Sequence, residues 1–167
     1  MKQPDGHHLA QLNVGRLMAP PDDPRVAEFM EALDRINGLG KRSPGFVWMM
    51  EGSGEPGTGN TENCIGGDPQ SVANLTVWRD VASLEHFVWK TVHRQFYERR
   101  HEWFQSLTEM HLVLWWIPAG HRPSLRQAGD KLDHLRAHGD SASAFGWRYL
   151  QEVTGWKTHQ CGSVAAE

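Results

Sequence analysis

The chain has 167 residues, of which 22% are charged and 39% hydrophobic, and its formal net charge is -3. These values indicate a single soluble domain with a sizeable core, and they argue against nucleic-acid binding, which needs a basic surface. Cys64 and Cys161 lie far apart and form no CxxC pattern, so neither a zinc site nor a redox motif is predicted. The 10 histidines and 8 tryptophans are many for this length, which is typical of aromatic-lined pockets or interfaces.

The hydrophobic pattern predicts four strands and three helices in the order β-α-β-β-α-β-α. The predicted elements are a strand at 9–17, a helix at 25–39, strands at 45–52 and 71–80, a helix at 81–107, a strand at 110–120 and a helix at 123–139. Asp23 and Pro24 are expected to begin the first helix, and Gly38 and Gly40 to end it. Asp80, or alternatively Ser83, is expected to cap the second helix, which is predicted to be one long element.

This order is the split βαβ plan of a ferredoxin-like fold of class α+β, with an extra C-terminal helix. Two helices cover one face of such a sheet, and an apolar second face should not remain in water. We therefore expect a symmetric homodimer, a dimeric α/β barrel, that packs two sheets together. The domain is expected to span residues 8–147, with a loose extension at 148–167 and a glycine-rich loop at 53–70.

The expected cellular location follows from the N-terminus and from the longest apolar run. The N-terminus lacks the apolar stretch of a signal peptide, and the run HLVLWWIPAG at 111–120 is too short to span a bilayer. We therefore expect a cytoplasmic protein that binds neither membranes nor nucleic acid.

Strand alternation gives each of the strands at 9–17 and 71–80 one apolar face and one face with amide, hydroxyl or indole groups. If the two polar-bearing faces coincide, one layer holds Gln11, Asn13, Asn74, Thr76 and Trp78. A buried amide between a sheet and a helix that finds no partner costs about 1–3 kcal/mol. This face therefore predicts a pocket that holds water or a ligand. The alternative is that the amides are exposed or are satisfied by the backbone, which suits Gln11, near a strand end, better than Asn74 in mid-strand.

Along the long predicted helix, aromatic and basic residues recur at steps of three and four. They are His86, Trp89, His93, Phe96, Tyr97, Arg100 and Phe104. His93 and Arg100 are seven apart and should share one stripe. A neutral imidazole there can act as an acid, a base or a ligand, and a guanidinium can stabilise an oxyanion. Both are therefore predicted to be catalytic, and the alternative is a hydrogen-bonded core histidine beside a solvated charged face.

Aromatic and polar side chains around this pair are predicted to hold a substrate. The predicted substrate-binding residues are Asn13, Trp48, Asn74, Thr76, Trp78, Trp89, Tyr97, Phe104 and Trp116. Because Trp115 and Trp116 are adjacent on a strand, one should point to the pocket and the other to the dimer interface. Large core aromatics are the alternative for these tryptophans and for Trp48.

Other functional motifs receive little support. His134 and His138 are four apart on a predicted helix, a spacing that can place two metal ligands on one face. No acidic third ligand accompanies them in a motif such as HExxH, so chance explains the spacing better and no metal site is predicted. The absence of G-x-G-x-x-G, P-loop and G-x-S-x-G motifs argues against a nucleotide-binding protein or a serine hydrolase.

The chain resembles a family of small bacterial proteins that carry a domain of unknown function. That family is grouped with the dimeric α/β-barrel superfamily, which includes antibiotic-biosynthesis monooxygenases. The resemblance covers about residues 8–147 and rests on LAQLN, DDPRVAEF, SPGFVW, NLTVW, FVWKTVHRQFYERRHEWF, LWWIPAGHRPS and LRAHGDSASAF. The chain departs from the family at Asp140, where a proline is usual after Gly139, and at Gly146, where a threonine is usual.

The resemblance implies a ferredoxin-like fold, dimerisation through the sheet, and chemistry in a cavity between the sheet and the helices. The leading hypothesis is a cofactor-independent monooxygenase-like or cyclase-like enzyme of secondary metabolism. Its substrate would be an aromatic or polyketide-type metabolite, with no bound cofactor. One alternative is a haem-binding protein or haem-dependent enzyme with His93 as axial ligand. Another alternative is a non-catalytic binding dimer.

Overall fold

The computed structural model describes residues 1–51 and 67–150. Within them, the strands are β1 (His7–Arg16), β2 (Phe46–Met49), β3 (Ser71–Trp78) and β4 (Leu112–Pro118). The helices are α1 (Ala27–Arg42), α2 (Val81–Lys90), α3 (His93–Glu98) and α4 (Leu125–His138). The antiparallel strand order β2-β3-β1-β4 is that of a ferredoxin-like sheet, which confirms the predicted α+β class. Most of the predicted loop at 53–70 and all of the extension beyond 150 lie outside the described residues.

One face of the sheet is covered by α2 and carries the polar residues that the sequence placed together. Because β1 pairs with both β3 and β4, side chains form rows across the sheet. The rows on this face are Trp78–Leu9–Trp116, Thr76–Gln11–Leu114 and Asn74–Asn13–Leu112. Leu84 of α2 packs into the same apolar cluster as Leu9, and Phe87 stacks on Trp78. We call this surface the α2 face.

The opposite surface, the α4 face, holds the main apolar core. Its sheet side chains, each at most 4% exposed, are Ala10, Leu12, Ala73, Leu75, Val77, Val113, Trp115 and Ile117. Ala128, Leu132 and Leu135 of α4 pack against them. The expectation that this face is left bare in a single chain is therefore wrong. The extra helix, whose apolar residues recur at helical spacing, folds back and covers the sheet.

The prediction of one long helix at 81–107 is also wrong, because the chain forms two helices there, α2 and α3, with a break between them. Thr91 has an extended backbone, with φ -121° and ψ 178°. Its hydroxyl donates to the Phe87 carbonyl at 2.6 Å and accepts from the His93 N–H at 3.2 Å. These bonds compete with the helical backbone pattern and end α2. After α3 the chain tightens into a 3-10 turn, Arg100–Glu102.

The helix boundaries differ from expectation at one further place. α1 continues through Gly38 and Gly40 as far as Arg42. Glycine inside a helix costs about 1 kcal/mol relative to alanine, but tertiary packing readily overrides that preference. Gly40 is buried and faces the Phe87 ring, so it lies where α1 meets α2. Asp80 caps α2 as predicted, by accepting the N–H of the residue three positions on.

Among the helices of the described residues, none combines the length and the apolar character needed to span a membrane.

Candidate functional site

A hydrogen-bonded chain of three buried side chains crosses the α2 face. The Trp78 indole donates its Nε1–H to Thr76 Oγ1 at 2.9 Å, and the Thr76 hydroxyl donates to Gln11 Oε1 at 2.7 Å. Trp78, Thr76 and Gln11 are 1%, 7% and 8% exposed. The alternative that Gln11 lies on an exposed face is therefore wrong. Its position near the centre of a four-stranded sheet, opposite Thr76, accounts for its burial.

Other polar atoms on the helix-covered side are buried but have no hydrogen-bond partner in the described part of the chain. They are Asn74 Oδ1, His93 Nδ1 and Trp116 Nε1. A fourth such atom, His8 Nδ1, belongs to a residue that alternates onto the α4 face. Each unsatisfied atom costs about 1–3 kcal/mol, and stable cores contain few of them. A ligand or ordered water that brings hydrogen-bond donors and an acceptor to this side would satisfy them.

His93 stands at the first position of α3, and its ring packs against α2. The imidazole lies 4.7 Å from the Phe87 ring, which stacks on Trp78 at 5.2 Å. Burial lowers the pKa of His93 from 6.5 to about 4, and a hydrogen bond to the Val88 carbonyl opposes that shift only in part. The imidazole is therefore neutral near pH 7. A neutral imidazole carries one ring N–H and one lone pair.

Arg100 has different surroundings from His93. It is exposed in the 3-10 turn, where its guanidinium donates to the Tyr97 carbonyl at 2.9 Å. The guanidinium carbon also lies 4.5 Å from the centre of the Tyr97 ring. A 3-10 turn has about three residues per turn, so the α-helical stripe predicted to hold both residues does not continue to Arg100. A catalytic role for Arg100 stays a prediction.

Three more of the predicted substrate-binding residues pack against other aromatics or the backbone. Trp89 and Tyr97 meet edge to face with ring centres 5.2 Å apart. Phe104 covers Gly15 at the end of β1, where an added Cβ would lie only 2.6 Å from its ring. Phe104 also meets Phe29 of α1 at 4.8 Å. Phe104 therefore covers the end of the α2 face beyond Asn13 and Asn74.

Trp48 does not belong to this group, which corrects the prediction that it lines the same pocket. It stands opposite Val77 and packs against the core of the α4 face. The register shifts between Phe46 and Trp48. That irregularity reverses the alternation of side chains, so Phe46 joins the α2 face and Trp48 does not.

A shallow open groove of about 420 Å³ lies along β4 and the beginning of α4. Its lining includes Trp115, Trp116, His121, Gln127 and Asp130. Trp116 is the one predicted site residue among them. This groove is not the predicted hollow beneath the long helix, because its lining contains neither His93 nor the polar rows of the α2 face.

The histidine pair on α4 has the spacing of metal ligands but no complete ligand set. The rings of His134 and His138 are 4.8 Å apart, and His134 Nε2 lies 3.3 Å from Ser141 Oγ. Across residues 1–51 and 67–150, no group of three His, Cys, Asp or Glu side chains could hold a metal ion.

The family assignment rests on a match over nearly the whole chain. Residues 8–161 match the family described as Domain of unknown function (DUF3291). The chain belongs to the DUF3291 family. The resemblance to a domain-of-unknown-function family is thereby confirmed. No curated protein matches this DUF3291 chain.

Three solved structures are similar to the DUF3291 chain at low identity. PA3566 from Pseudomonas aeruginosa is 14% identical, with a TM-score of 0.44, over 70% of this chain and 95% of that one. SnoaB, a cofactor-independent oxygenase from Streptomyces nogalater, is 17% identical, with a TM-score of 0.42, over 71% and 96%. NE2512, a protein of unknown function from Nitrosomonas europaea, is 11% identical, with a TM-score of 0.47, over 72% and 99%. Likenesses this distant transfer no activity.

Proposed function

We propose that this DUF3291 protein binds an aromatic or polyketide-type metabolite at the α2 face and acts on it without a bound cofactor. The supporting observation is the set of buried polar atoms without partners, which holds an acceptor, Asn74 Oδ1, a donor, Trp116 Nε1, and an imidazole nitrogen, His93 Nδ1. A hydroxyl group of such a ligand can donate to Asn74 Oδ1. Its rings can pack against half-buried aromatics of this side, among them Phe87, which stacks on the buried Trp78.

In this proposal His93 holds the proton that the substrate loses. Its low pKa, about 4 in the free protein, keeps the imidazole neutral and able to accept a hydrogen bond from a phenol or enol. When the substrate ionises beside the ring, the new negative charge raises the pKa of the imidazole, which can then hold the proton. The low starting pKa also means that His93 is a weak base until a ligand is bound.

The resulting carbanion can react in two ways that correspond to the two proposed enzyme types. As a monooxygenase, the protein would convert a substrate methylene and one dioxygen into a carbonyl group and one water. As a cyclase, it would add the carbanion to a carbonyl of the same molecule, with loss of one water. Arg100 is the second proposed residue, and because it is exposed it can contact only the part of a substrate that reaches the protein surface.

The experiment is an air-saturated assay with 1,8-dihydroxyanthrone, a hydroxylated aromatic ketone with an acidic methylene, followed by absorbance and mass. Wild-type protein is compared with His93→Gln and Arg100→Ala. His86→Gln is the matched control, because His86 is an exposed histidine on α2. Loss of a positioned proton acceptor should lower the rate by about 100-fold or more in His93→Gln. Equal rates in wild type, His93→Gln and His86→Gln contradict the proposed mechanism.

We also propose that the protein is a cytoplasmic homodimer of secondary metabolism, with the dimer implied by the family resemblance. Because α4 already covers the apolar sheet face, two bare sheets cannot meet there. A dimer on that side must include α4 in its interface. If the protein is a dimer, light scattering should give a mass of about twice the chain mass of 18.9 kDa. A mass equal to one chain contradicts the dimer and leaves the ligand site unaffected.

Haem binding is a second candidate, favoured by one feature of His93. Its Nδ1 atom is buried and has no partner among the described residues, and a neutral imidazole nitrogen with a free lone pair can ligate iron. The macrocycle also needs a flat cavity, and the groove described along β4 does not include His93. A Soret band on adding hemin that is lost in His93→Gln would support haem binding, and an unchanged hemin spectrum would contradict it.

A non-catalytic binding protein is the remaining alternative. In that case the same unpartnered polar atoms would bind a ligand that leaves unchanged. It predicts that 1,8-dihydroxyanthrone binds and is recovered unchanged. Mass analysis of the bound and released compound distinguishes this outcome from catalysis.

A further inference from the structure

We propose that Trp78 and Thr76 are positioning residues that fix the orientation of the Gln11 carboxamide, so that Gln11 offers hydrogen-bond donors to a ligand on the α2 face. Next to it, Asn74 offers an acceptor. This inference rests on the proposed function, because it concerns the same binding site. It adds which group of the ligand faces which residue: a carbonyl oxygen faces Gln11, and a hydroxyl faces Asn74.

The direction of the hydrogen-bonded chain follows from its first member. An indole nitrogen can only donate, so Thr76 Oγ1 must accept from Trp78. The single hydroxyl hydrogen of Thr76 then needs an acceptor, and Gln11 Oε1 lies 2.7 Å away. Within residues 1–51 and 67–150, the Thr76 side chain has no other hydrogen-bond partner. A flipped carboxamide would place N–H groups against this hydroxyl and leave its hydrogen without an acceptor. The donor-only indole therefore determines which end of Gln11 meets Thr76.

With its oxygen engaged, Gln11 is left with the two N–H groups of Nε2 for a ligand. The part of the chain that the structure describes provides no partner for them. The strand register places Gln11 opposite Thr76 and Asn13 opposite Asn74. Gln11 and Asn74 are therefore diagonal neighbours, with Cβ atoms roughly 7–8 Å apart. Asn74 Oδ1 is buried without a partner, so a donor and an acceptor lie side by side on the face.

Gln11 and Asn74 together select a ligand by the arrangement of its hydrogen-bond acceptor and donor. A hydroxyaryl ketone can accept from Gln11 through its carbonyl and donate to Asn74 through its hydroxyl. In the reversed orientation the ligand carbonyl would give up the Gln11 N–H groups, whose direction Thr76 fixes, and the Asn74 carboxamide would have to rotate to offer an N–H. The proposed site should therefore favour the orientation that places the carbonyl at Gln11.

The test uses two probes that each carry one of the two groups, 1-tetralone with a carbonyl and 1-naphthol with a hydroxyl. Dissociation constants are measured by calorimetry for wild type, Thr76→Val and Thr76→Ser. Thr76→Val keeps the shape but removes the hydroxyl, which should weaken 1-tetralone about 10-fold and change 1-naphthol by less than about 2-fold. Thr76→Ser keeps the hydroxyl and should restore wild-type binding. Asn74→Leu should give the opposite pattern and weaken 1-naphthol alone.

A second measurement does not depend on any probe. The indole N–H signal of Trp78, identified by its loss in Trp78→Phe, should shift in the NMR spectrum of Thr76→Val and stay in place in Thr76→Ser.

If Thr76→Val does not fold, Gln11→Glu replaces the N–H donors by a second oxygen and should weaken 1-tetralone binding in the same selective way.

The outcomes separate the two proposals. If Thr76→Val weakens both probes equally, or neither, or leaves the Trp78 signal unmoved, the orientation inference is overturned and the ligand site stands. If neither probe binds the wild-type protein, the proposed site at the α2 face is overturned, and this inference with it. Selective loss of 1-tetralone supports both.

Discussion

The two faces of the sheet are built from the same strands but differ in what they bury. On the α4 face, every sheet residue of the core is apolar and at most 4% exposed. On the α2 face, alternate residues of the same strands place Gln11, Thr76 and Asn74 between apolar side chains. Both faces share the same backbone hydrogen bonds. Whether a residue occupies an odd or an even position along its strand decides which face its side chain joins. The α4 face is typical of a stability core, with His8 Nδ1 as its one unsatisfied atom named above. The α2 side holds the other three such atoms, which lower stability, as the groups of binding sites do.

The largest expected effect is on the α4 face. Leu132 of α4 is 1% exposed and packs on the sheet. Leu132→Ala should lower the free energy of unfolding by about 2–5 kcal/mol, through lost burial and the remaining cavity. Urea unfolding measures this as a lower midpoint at unchanged slope. A loss below about 1 kcal/mol would contradict the assignment of this face as the main core.

The pH dependence of stability tests the burial of His93 on the α2 side. Its folded-state pKa of about 4 lies below the unfolded value of 6.5, so the unfolded chain takes up the proton first. Stability should therefore fall between pH 6.5 and 4, by roughly 2–3 kcal/mol. His93→Gln does not titrate and should show a flatter curve. Burial also lowers the pKa of His111, which is present in both proteins and cancels in the comparison. Parallel curves would contradict a buried neutral His93.

Asn74→Leu should separate stability from binding. It removes a buried acceptor without a partner and adds apolar area on the α2 face. The free energy of unfolding should stay the same or rise by up to about 1 kcal/mol, while 1-naphthol binding weakens. A loss of more than about 1 kcal/mol would indicate that Asn74 is a structural residue, and the contrast between the two faces would then weaken.

The smallest effect is expected at Arg100, which is exposed and contacts Tyr97. Arg100→Ala should change the free energy of unfolding by less than about 1 kcal/mol. Thermal unfolding with a matched denaturant curve is sufficient to measure it. A larger loss would show that the 3-10 turn depends on this guanidinium.

Much of the candidate site could be predicted because strand alternation is a local rule. The spacing grouped Gln11 with Asn13 on β1, and Asn74 with Thr76 and Trp78 on β3, and the strand register shows that these two groups share one face. The hydrogen-bonded order of Trp78, Thr76 and Gln11 was not predicted. The signal was present in the pairing of a donor-only indole with a hydroxyl two residues away.

The amino-acid sequence by itself determined the order of strands and helices, the alternating faces and the α+β class, because these depend on local periodicity and capping. Only the tertiary structure decided the helix break at Thr91, the reversed position of Trp48 and the cover that α4 provides. Each of these depends on which surfaces meet across the fold, where a side-chain hydrogen bond or a register shift overrides local preference. The pKa of His93 belongs with them, since burial is a property of the packed molecule.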